Sequence, residues 1–113
     1  MGKLITNVSI AAKKKVSIII RTYNEAFWLK YLLPALNNQN YKNFEIIVVD
    51  NESSDESINI LKYYGIKKIF TIKRQDYSPG KSLNKGIKSA SGEFIVLLSS
   101  HCIPYSNRWL TEF

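Results

Sequence analysis

Three short segments concentrate the residue types that recognise or activate a ligand: Arg21-Thr22-Tyr23-Asn24-Glu25, Asp50-Asn51-Glu52-Ser53 and Ser99-Ser100-His101-Cys102. Their hydroxyls, amides and carboxylates can exchange hydrogen bonds with a polar ligand, and Tyr23 offers an aromatic face. His101, the single histidine, can present a neutral imidazole nitrogen to a metal ion. Each has a plainer reading beside it. Asp50 followed by Asn51 is ordinary turn chemistry, Tyr23 can be core packing, and a lone histidine is as readily structural as ligating. Cys102 reads as a small buried hydrophobe, because nothing beside it marks a reactive thiolate. Ser53 with Glu56 reads as a helix capping box, and Lys73 and Arg74 as surface charges.

Two phosphate-binding patterns fail on inspection. No G-x-G-x-x-G follows the first apolar run. Gly80-Lys81-Ser82 resembles the end of a P-loop, but the loop's first glycine would fall on Gln75.

What makes the three segments one candidate site is the set of elements that precedes them. Each follows a short apolar run with strand character, at 16–20, 44–49 and 94–98, and a weaker strand is expected over 68–72. Amphipathic helices fall between the strands. Asn24 is a candidate N-cap for the first, in which Phe27, Trp28, Tyr31, Leu32 and Leu36 have helical spacing and Pro34 must kink or shorten the helix. The Ser53–Glu56 box opens the second, which stops at Gly65. Ser78-Pro79 opens the third, with Leu83, Ile87 and Ala90 on one face and Gly92 as its stop, and Trp109-Leu110 suggest a further helix. This alternation predicts an α/β fold, a Rossmann-like parallel sheet flanked by helices, and the expected strand order is 3-2-1-4, one of the two common orders of such sheets. Strand order then reverses between the first and fourth strands, and ligands of such sheets sit outside the carboxyl ends at that reversal. The three polar segments are those strand exits.

Composition narrows the class. The chain has 113 residues, 45% hydrophobic and 22% charged, as an ordinary globular domain has. One cysteine excludes an internal disulfide and a cysteine zinc cluster, and points to a reducing compartment. The apolar runs of about five residues are far from the ~20 a membrane span needs. The net charge is +7, yet four of the sixteen basic residues (Lys3, Lys13, Lys14, Lys15) fall in residues 1–15, which hold no acidic residue. That segment reads as an N-terminal extension with a solvated lysine lead-in. Attraction of the lysines to an anionic membrane surface is the alternative. The excess charge sits away from the strand exits and no recognition motif accompanies it, which argues against nucleic acid.

Read together, "VSIIIRTYNEAFWLKYLLPALNNQNYKNFEIIVVDNESSDES" and "GKSLNKGIKSASGEFIVLLSSHCIP" resemble the inverting family 2 glycosyltransferases across residues 16–113 in one collinear pass. The resemblance implies the GT-A nucleotide-sugar-binding half of such an enzyme. It puts Thr22, Tyr23, Asn24 and Glu25 around the nucleotide, with Tyr23 at the base, and Asp50 as an acceptor from the base. Lys81 becomes a contact to base or phosphate, and Ser99 a contact to the ribose. His101 falls on the last position of the family's D-x-D motif and is the implied metal ligand. Both aspartates of that motif are replaced, and Arg21 stands where the family commonly has proline. With imidazole in place of carboxylate, the divalent ion implied is Mn²⁺ before Mg²⁺.

The resemblance further implies a nucleotide-diphosphate-sugar donor and a glycan or lipid-linked acceptor in polysaccharide biosynthesis. The expected location is cytoplasmic, with peripheral association at the inner membrane face and a homodimer as open options. No catalytic residue is assigned: the acceptor half and its general base are expected beyond residue 113. The rival reading is a non-catalytic nucleotide-binding or protein-interaction module.

Overall fold

The computed structural model describes residues 14–112. The extension expected for 1–15 therefore lies outside the described residues except for Lys14 and Lys15. Four strands, β1 (Val16–Thr22), β2 (Phe44–Asp50), β3 (Lys68–Thr71) and β4 (Phe94–Ser99), form one sheet in the order β3-β2-β1-β4. Every pairing is parallel, with Val16 opposite Phe44 and Phe94, and Thr22 opposite Asp50. The expected fold and strand order are those observed. β1 is central, and Ile18, Ile19 and Ile20 are fully buried, as strands covered on both faces are.

Helix α1 (Ala26–Asn37) buries Leu29, Leu32, Leu33 and Leu36 against the sheet. It differs from expectation in three ways. It runs through Pro34 to Asn37: the proline forfeits one backbone hydrogen bond, and burial of Leu33 and Leu36 on either side holds the helix on the sheet. Its aromatic residues face outward, with Phe27 and Tyr31 both more than half exposed and Phe27 packed on Trp28 at 5.1 Å and on Tyr31 at 5.5 Å. Its N-cap is Glu25, not Asn24, and no side chain of the cap residue bonds the helix. Helix α2 (Ser57–Tyr63) likewise starts later than the capping box predicts; Ser53 and Glu56 do not cap it, and Asp55 Oδ1 accepts from Ser57 N at 2.9 Å instead. Helix α3 (Pro79–Ser89) begins as expected, Ser78 Oγ accepting from Lys81 N at 3.1 Å. Ile87, expected on its core face, is exposed. Beyond β4, Trp109 and Leu110 lie in turns rather than a helix, and Leu110 joins the core. Buried Gln39 holds them there, donating to Ala35 O and Ser106 O and accepting from Leu110 N at 3.0 Å. Among the described residues no helix is long and apolar enough to cross a membrane.

β4 departs from the buried strand its apolar run predicts. Phe94 and Leu97 are each 52% exposed and Ile95 41%. The strand is an edge, paired on one side alone.

The amino ends of the strands are knotted by one carboxylate. Glu45 accepts from Ser17 Oγ at 2.6 Å, Lys68 Nζ at 2.8 Å, Ser91 N at 2.7 Å and Ser91 Oγ at 3.0 Å, with Lys15 Nζ at 3.8 Å. Lys14 pairs with Glu93 at 3.5 Å, so both described lysines of the run are engaged rather than simply solvated. Burial alone raises the Glu45 pKa, but the bonds from Lys68, Ser17 and Ser91 outweigh it and bring the carboxyl from 4.5 to about 2. The folded chain thus binds fewer protons here than the unfolded one. Stability from this group is present above pH 4.5 and is lost as pH falls toward 2. Both lysines reach solvent, so we expect ~2 kcal/mol rather than the full value of the shift. Chemical denaturation at pH 7, 4 and 3 should show a decline that Glu45→Gln flattens; an equally steep decline in the variant would place its origin elsewhere.

Candidate functional site

The strand order reverses between β1 and β4, and the segments leaving these strands emerge side by side at the carboxyl edge of the sheet. The adjoining exit of β2 lies beside them, Thr22 opposite Asp50 in register. The sequence-predicted residues therefore fall into two groups, one at the β1–β2 exits and one at the β1–β4 exits.

At the β1–β2 exits the two loops are bonded into a single unit. Asp50 is 1% exposed; its Oδ1 accepts from Ser53 Oγ at 2.5 Å and its Oδ2 from Ser53 N at 2.8 Å. Ser53 Oγ accepts in turn from Asn24 N at 2.8 Å, and Asn24 Oδ1 accepts from Ser54 N at 2.7 Å and Asp55 N at 3.3 Å. The first turn of α1 is capped across the loops: Asp55 Oδ2 accepts from Ala26 N at 3.1 Å and Ser57 Oγ from Glu25 N at 3.2 Å. Burial raises the Asp55 pKa, but its bonds from Ser57 and Ala26 prevail and hold the carboxyl below its ordinary range. Asn24 and Glu52 take left-handed backbone conformations, φ +49° and +55°. For Asn24 this is inexpensive; for Glu52 it costs ~1 kcal/mol, a strain of the kind that concentrates at functional sites.

Two buried polar atoms at these exits have no partner among the described residues, Thr22 Oγ1 and Asn51 Oδ1. Thr22 is 4% exposed. A buried hydroxyl or amide oxygen left unbonded costs roughly 1–3 kcal/mol, which a ligand's donors can recover.

Tyr23 is exposed rather than packed in the core, and Arg74 lies over its ring at 3.9 Å. Arg74 is held there by its peptide nitrogen, which donates to Glu52 Oε1 at 2.8 Å. Tyr77, from the same β3–α3 connection, receives a bond from Arg21 Nη1 at 3.2 Å. Arg74 is therefore not the free surface charge the sequence suggests. Lys81 is not brought to this group by any contact. It lines a groove of about 490 Å³ with Phe70, Asn84, Lys85, Lys88 and Ser89. A second cavity, of about 300 Å³, lies at the opposite, amino end of the sheet beside Glu45 and Lys68.

At the β1–β4 exits, Ser99 Oγ lies 3.1 Å from His101 Nδ1, and His101 Nδ1 lies 3.8 Å from Glu25 Oε1. The Trp28 ring stands 6.4 Å from the imidazole. Cys102 is exposed, not buried as expected, because β4 has ended and the chain has turned outward. Among the described residues no three His, Cys, Asp or Glu side chains cluster as a metal cage. The donors that do meet, an imidazole nitrogen, a hydroxyl and a carboxylate, fit part of the shell of a divalent ion whose remaining positions a ligand's oxygens would take.

Sequence reasoning missed Arg74 and Tyr77 as parts of this region, and it gave Asn51 and Ser53, inside a predicted segment, no ligand-facing role. Asn51 and Ser53 carry a signal, since they follow Asp50 within a strand exit. Arg74 and Tyr77 carry none, because their place depends on how the β3–α3 connection folds back over β1.

Residues 17–113 match the family model described as Glycosyl transferase family 2. An uncharacterized glycosyltransferase of Rickettsia prowazekii is 39% identical over 93 residues, covering 82% of this chain and 29% of its own. The poly(ribitol-phosphate) beta-N-acetylglucosaminyltransferase TarS of Staphylococcus aureus is 34% identical over 91 residues, covering 76% of this chain and 16% of its own. The crystal structure of S. aureus TarS 1–349 in complex with UDP-GlcNAc superposes with a TM-score of 0.73 at 31% identity, over 87% of this chain and 29% of that one. The chain thus spans less than a third of the length of these three relatives. The parallel sheet, its order and the solved relatives agree on the GT-A architecture, and the family match runs through every strand exit described above. The chain belongs to glycosyl transferase family 2.

Proposed function

We propose that the chain forms the donor site of an inverting glycosyltransferase, binding a nucleotide-diphosphate sugar whose sugar passes to a glycan or lipid-linked acceptor. The observation that carries this is the pair of unpartnered buried atoms, Thr22 Oγ1 and Asn51 Oδ1, at strand exits flanking buried Asp50. In this reading Tyr23 supplies the stacking face for the base and Asp50 accepts from its edge. Asn24 holds the loop, and Ser99 bonds a ribose hydroxyl. Lys81, which lines the neighbouring groove at the start of α3, would reach the ligand by its extended side chain. The complexes of relatives support the reading: TarS is described with UDP and UDP-GlcNAc, and a Pyrobaculum calidifontis mannosyltransferase with GDP-Man and Mn²⁺.

Breaking the anomeric bond leaves negative charge on a diphosphate that is already anionic. At ~4 Å and an effective dielectric of ~20, one unit of opposing charge contributes about 4 kcal/mol before desolvation. His101, with Ser99 beside it, would hold a divalent ion, which when bound supplies that opposing charge. Deprotonation of the acceptor falls to a carboxylate of the acceptor-binding half. Within this chain, Glu112 Oε1 is already engaged by Tyr105 Oη at 2.6 Å. We place the enzyme in the cytoplasm, with the inner membrane face as its site of action if its acceptor is lipid-linked.

Calorimetric titration with UDP-, dTDP- and GDP-sugars, with and without Mn²⁺, tests the reading. One base series should bind, Tyr23→Ala should weaken it about tenfold through lost stacking, and the chain alone should bind donor without transferring sugar. No binding by any series to the folded chain would sink the proposal. The replacement of both D-x-D aspartates by Ser99 and His101 favours one rival, a non-catalytic nucleotide-binding module.

A further inference from the structure

We infer that Glu25 supplies the carboxylate the D-x-D position lacks, so that Glu25 and His101 together hold a divalent cation across the β1–β4 exits; this rests on the donor-site reading above. The argument begins from which carboxylates near the strand exits are free. Asp50 is buried, accepts from Ser53 at both oxygens and is committed to the base in the donor-site reading. Asp55 is taken by Ser57 and Ala26, and Glu52 accepts from Arg74 N. The Glu25 carboxylate receives no hydrogen bond among the described residues, and the side chain set against it is the His101 imidazole. A side-chain pair at 3.8 Å, 56% and 27% exposed, contributes little as an ion pair, so stability does not explain the placement.

The spacing suits one ion. Donors each about 2.1 Å from a shared cation lie at most ~4.2 Å apart, and Glu25 Oε1 and His101 Nδ1 fall inside that limit at 3.8 Å. Ser99 Oγ, 3.1 Å from the same nitrogen, adds a hydroxyl on the same side. The two elements are rigidly related. Arg21 pairs with Ser99 in the sheet, and the Glu25 backbone is clamped by Ser57 Oγ at its own nitrogen and by Asp55 at the next. Both ligands therefore come from the two sides of the strand-order reversal, where an anionic ligand would sit. An imidazole and a carboxylate favour Mn²⁺ over Mg²⁺, because magnesium keeps to oxygen.

The test is Mn²⁺ binding to the 113-residue chain, followed by the electron paramagnetic resonance signal of free Mn²⁺, alone and with UDP or GDP, against nucleotide without protein. Uptake by the chain above the nucleotide control is expected. Glu25→Gln and His101→Gln should each weaken it at least ~10-fold, the lower end of what even outer-shell partners of a metal cost. Glu25→Gln removes no hydrogen bond of the fold, and circular dichroism checks that it stays folded. His101→Asp in the Glu25→Gln background should restore uptake by returning a carboxylate to the site. Unchanged Mn²⁺ affinity in Glu25→Gln overturns the inference and leaves the donor site standing, as does nucleotide binding that ignores Mn²⁺. Absence of nucleotide binding at every Mn²⁺ concentration overturns the donor reading itself, and the Mn²⁺-alone series then still reports on Glu25 and His101.

Discussion

Asp50→Ala is expected to weaken nucleotide binding 10- to 100-fold and to cost the fold about 2 kcal/mol. The two losses have different origins. The carboxylate is buried and ends a fully paired strand, so its removal leaves the Ser53 peptide nitrogen without its acceptor and frees Ser53 Oγ. Ser53 in turn anchors Asn24 N, so the bond joining the β1 and β2 exits loosens as well. An unsatisfied buried donor costs roughly 1–3 kcal/mol, and a hydrogen bond to a charged group contributes ~1.5–3 kcal/mol to a ligand that uses it. Denaturation midpoints and calorimetry separate the two effects, with Ser53→Ala as the comparison. Ser53→Ala should lose stability through the same loop and keep most of the nucleotide affinity. If Asp50→Ala and Ser53→Ala lose nucleotide affinity equally, Asp50 is a turn residue and the base lies elsewhere.

Gly92→Ala is expected to cost about 3 kcal/mol and to lower the melting temperature by about 13 °C, although the change adds one methyl group. A β-carbon at Gly92 would stand 2.6 Å from Ser17 Oγ, 2.7 Å from Ser17 N and 2.9 Å from Val16 C. Two of those neighbours are backbone of the central strand and cannot rotate away. The Gly92 peptide nitrogen also donates to Ser17 Oγ at 2.8 Å, and Ser17 bonds Glu45, so displacement here disturbs the knot at the amino ends. Overpacking of this kind costs ~1–3 kcal/mol, and the upper end applies where backbone is struck. Gly86→Ala provides the contrast. Its β-carbon would meet Ile19 Cγ2 at 2.6 Å, a side chain with some freedom to turn. A smaller loss at Gly92 than at Gly86 would contradict the account.

The glycine at 92 could be read from the sequence as a helix stop, yet its larger role is the close approach of two chain segments 75 residues apart. The same division runs through the site. Asp50, Thr22 and Tyr23 were legible because each follows directly from an apolar run, and a parallel strand delivers the residue after it to a known edge. Asn24 and Ser53 were legible as polar loop residues but were assigned to the wrong bonds. Local capping rules pair a side chain with its own helix, whereas here the β2 exit caps α1 through Asp55 and Ser57 as well as its own helix through Asp55. Their nearness depends on the β1–β2 register, which a pattern of residues within one loop does not contain.

The sequence by itself determined the alternation of strands and helices and the three polar strand exits, and left the order 3-2-1-4 as one of few open to it. It could do so because the period of apolar residues and the placement of Gly, Pro and Ser are local properties, and parallel sheets admit few topologies. The tertiary structure alone decided which polar atoms at those exits are satisfied and which are left over. Packing ties Asp50 to Ser53, lays Arg74 over Tyr23, and leaves Thr22 Oγ1 and Asn51 Oδ1 unpartnered. It also brings Glu25 to within 3.8 Å of His101, because the residues that follow neighbouring parallel strands emerge at one edge however far apart they lie in the chain.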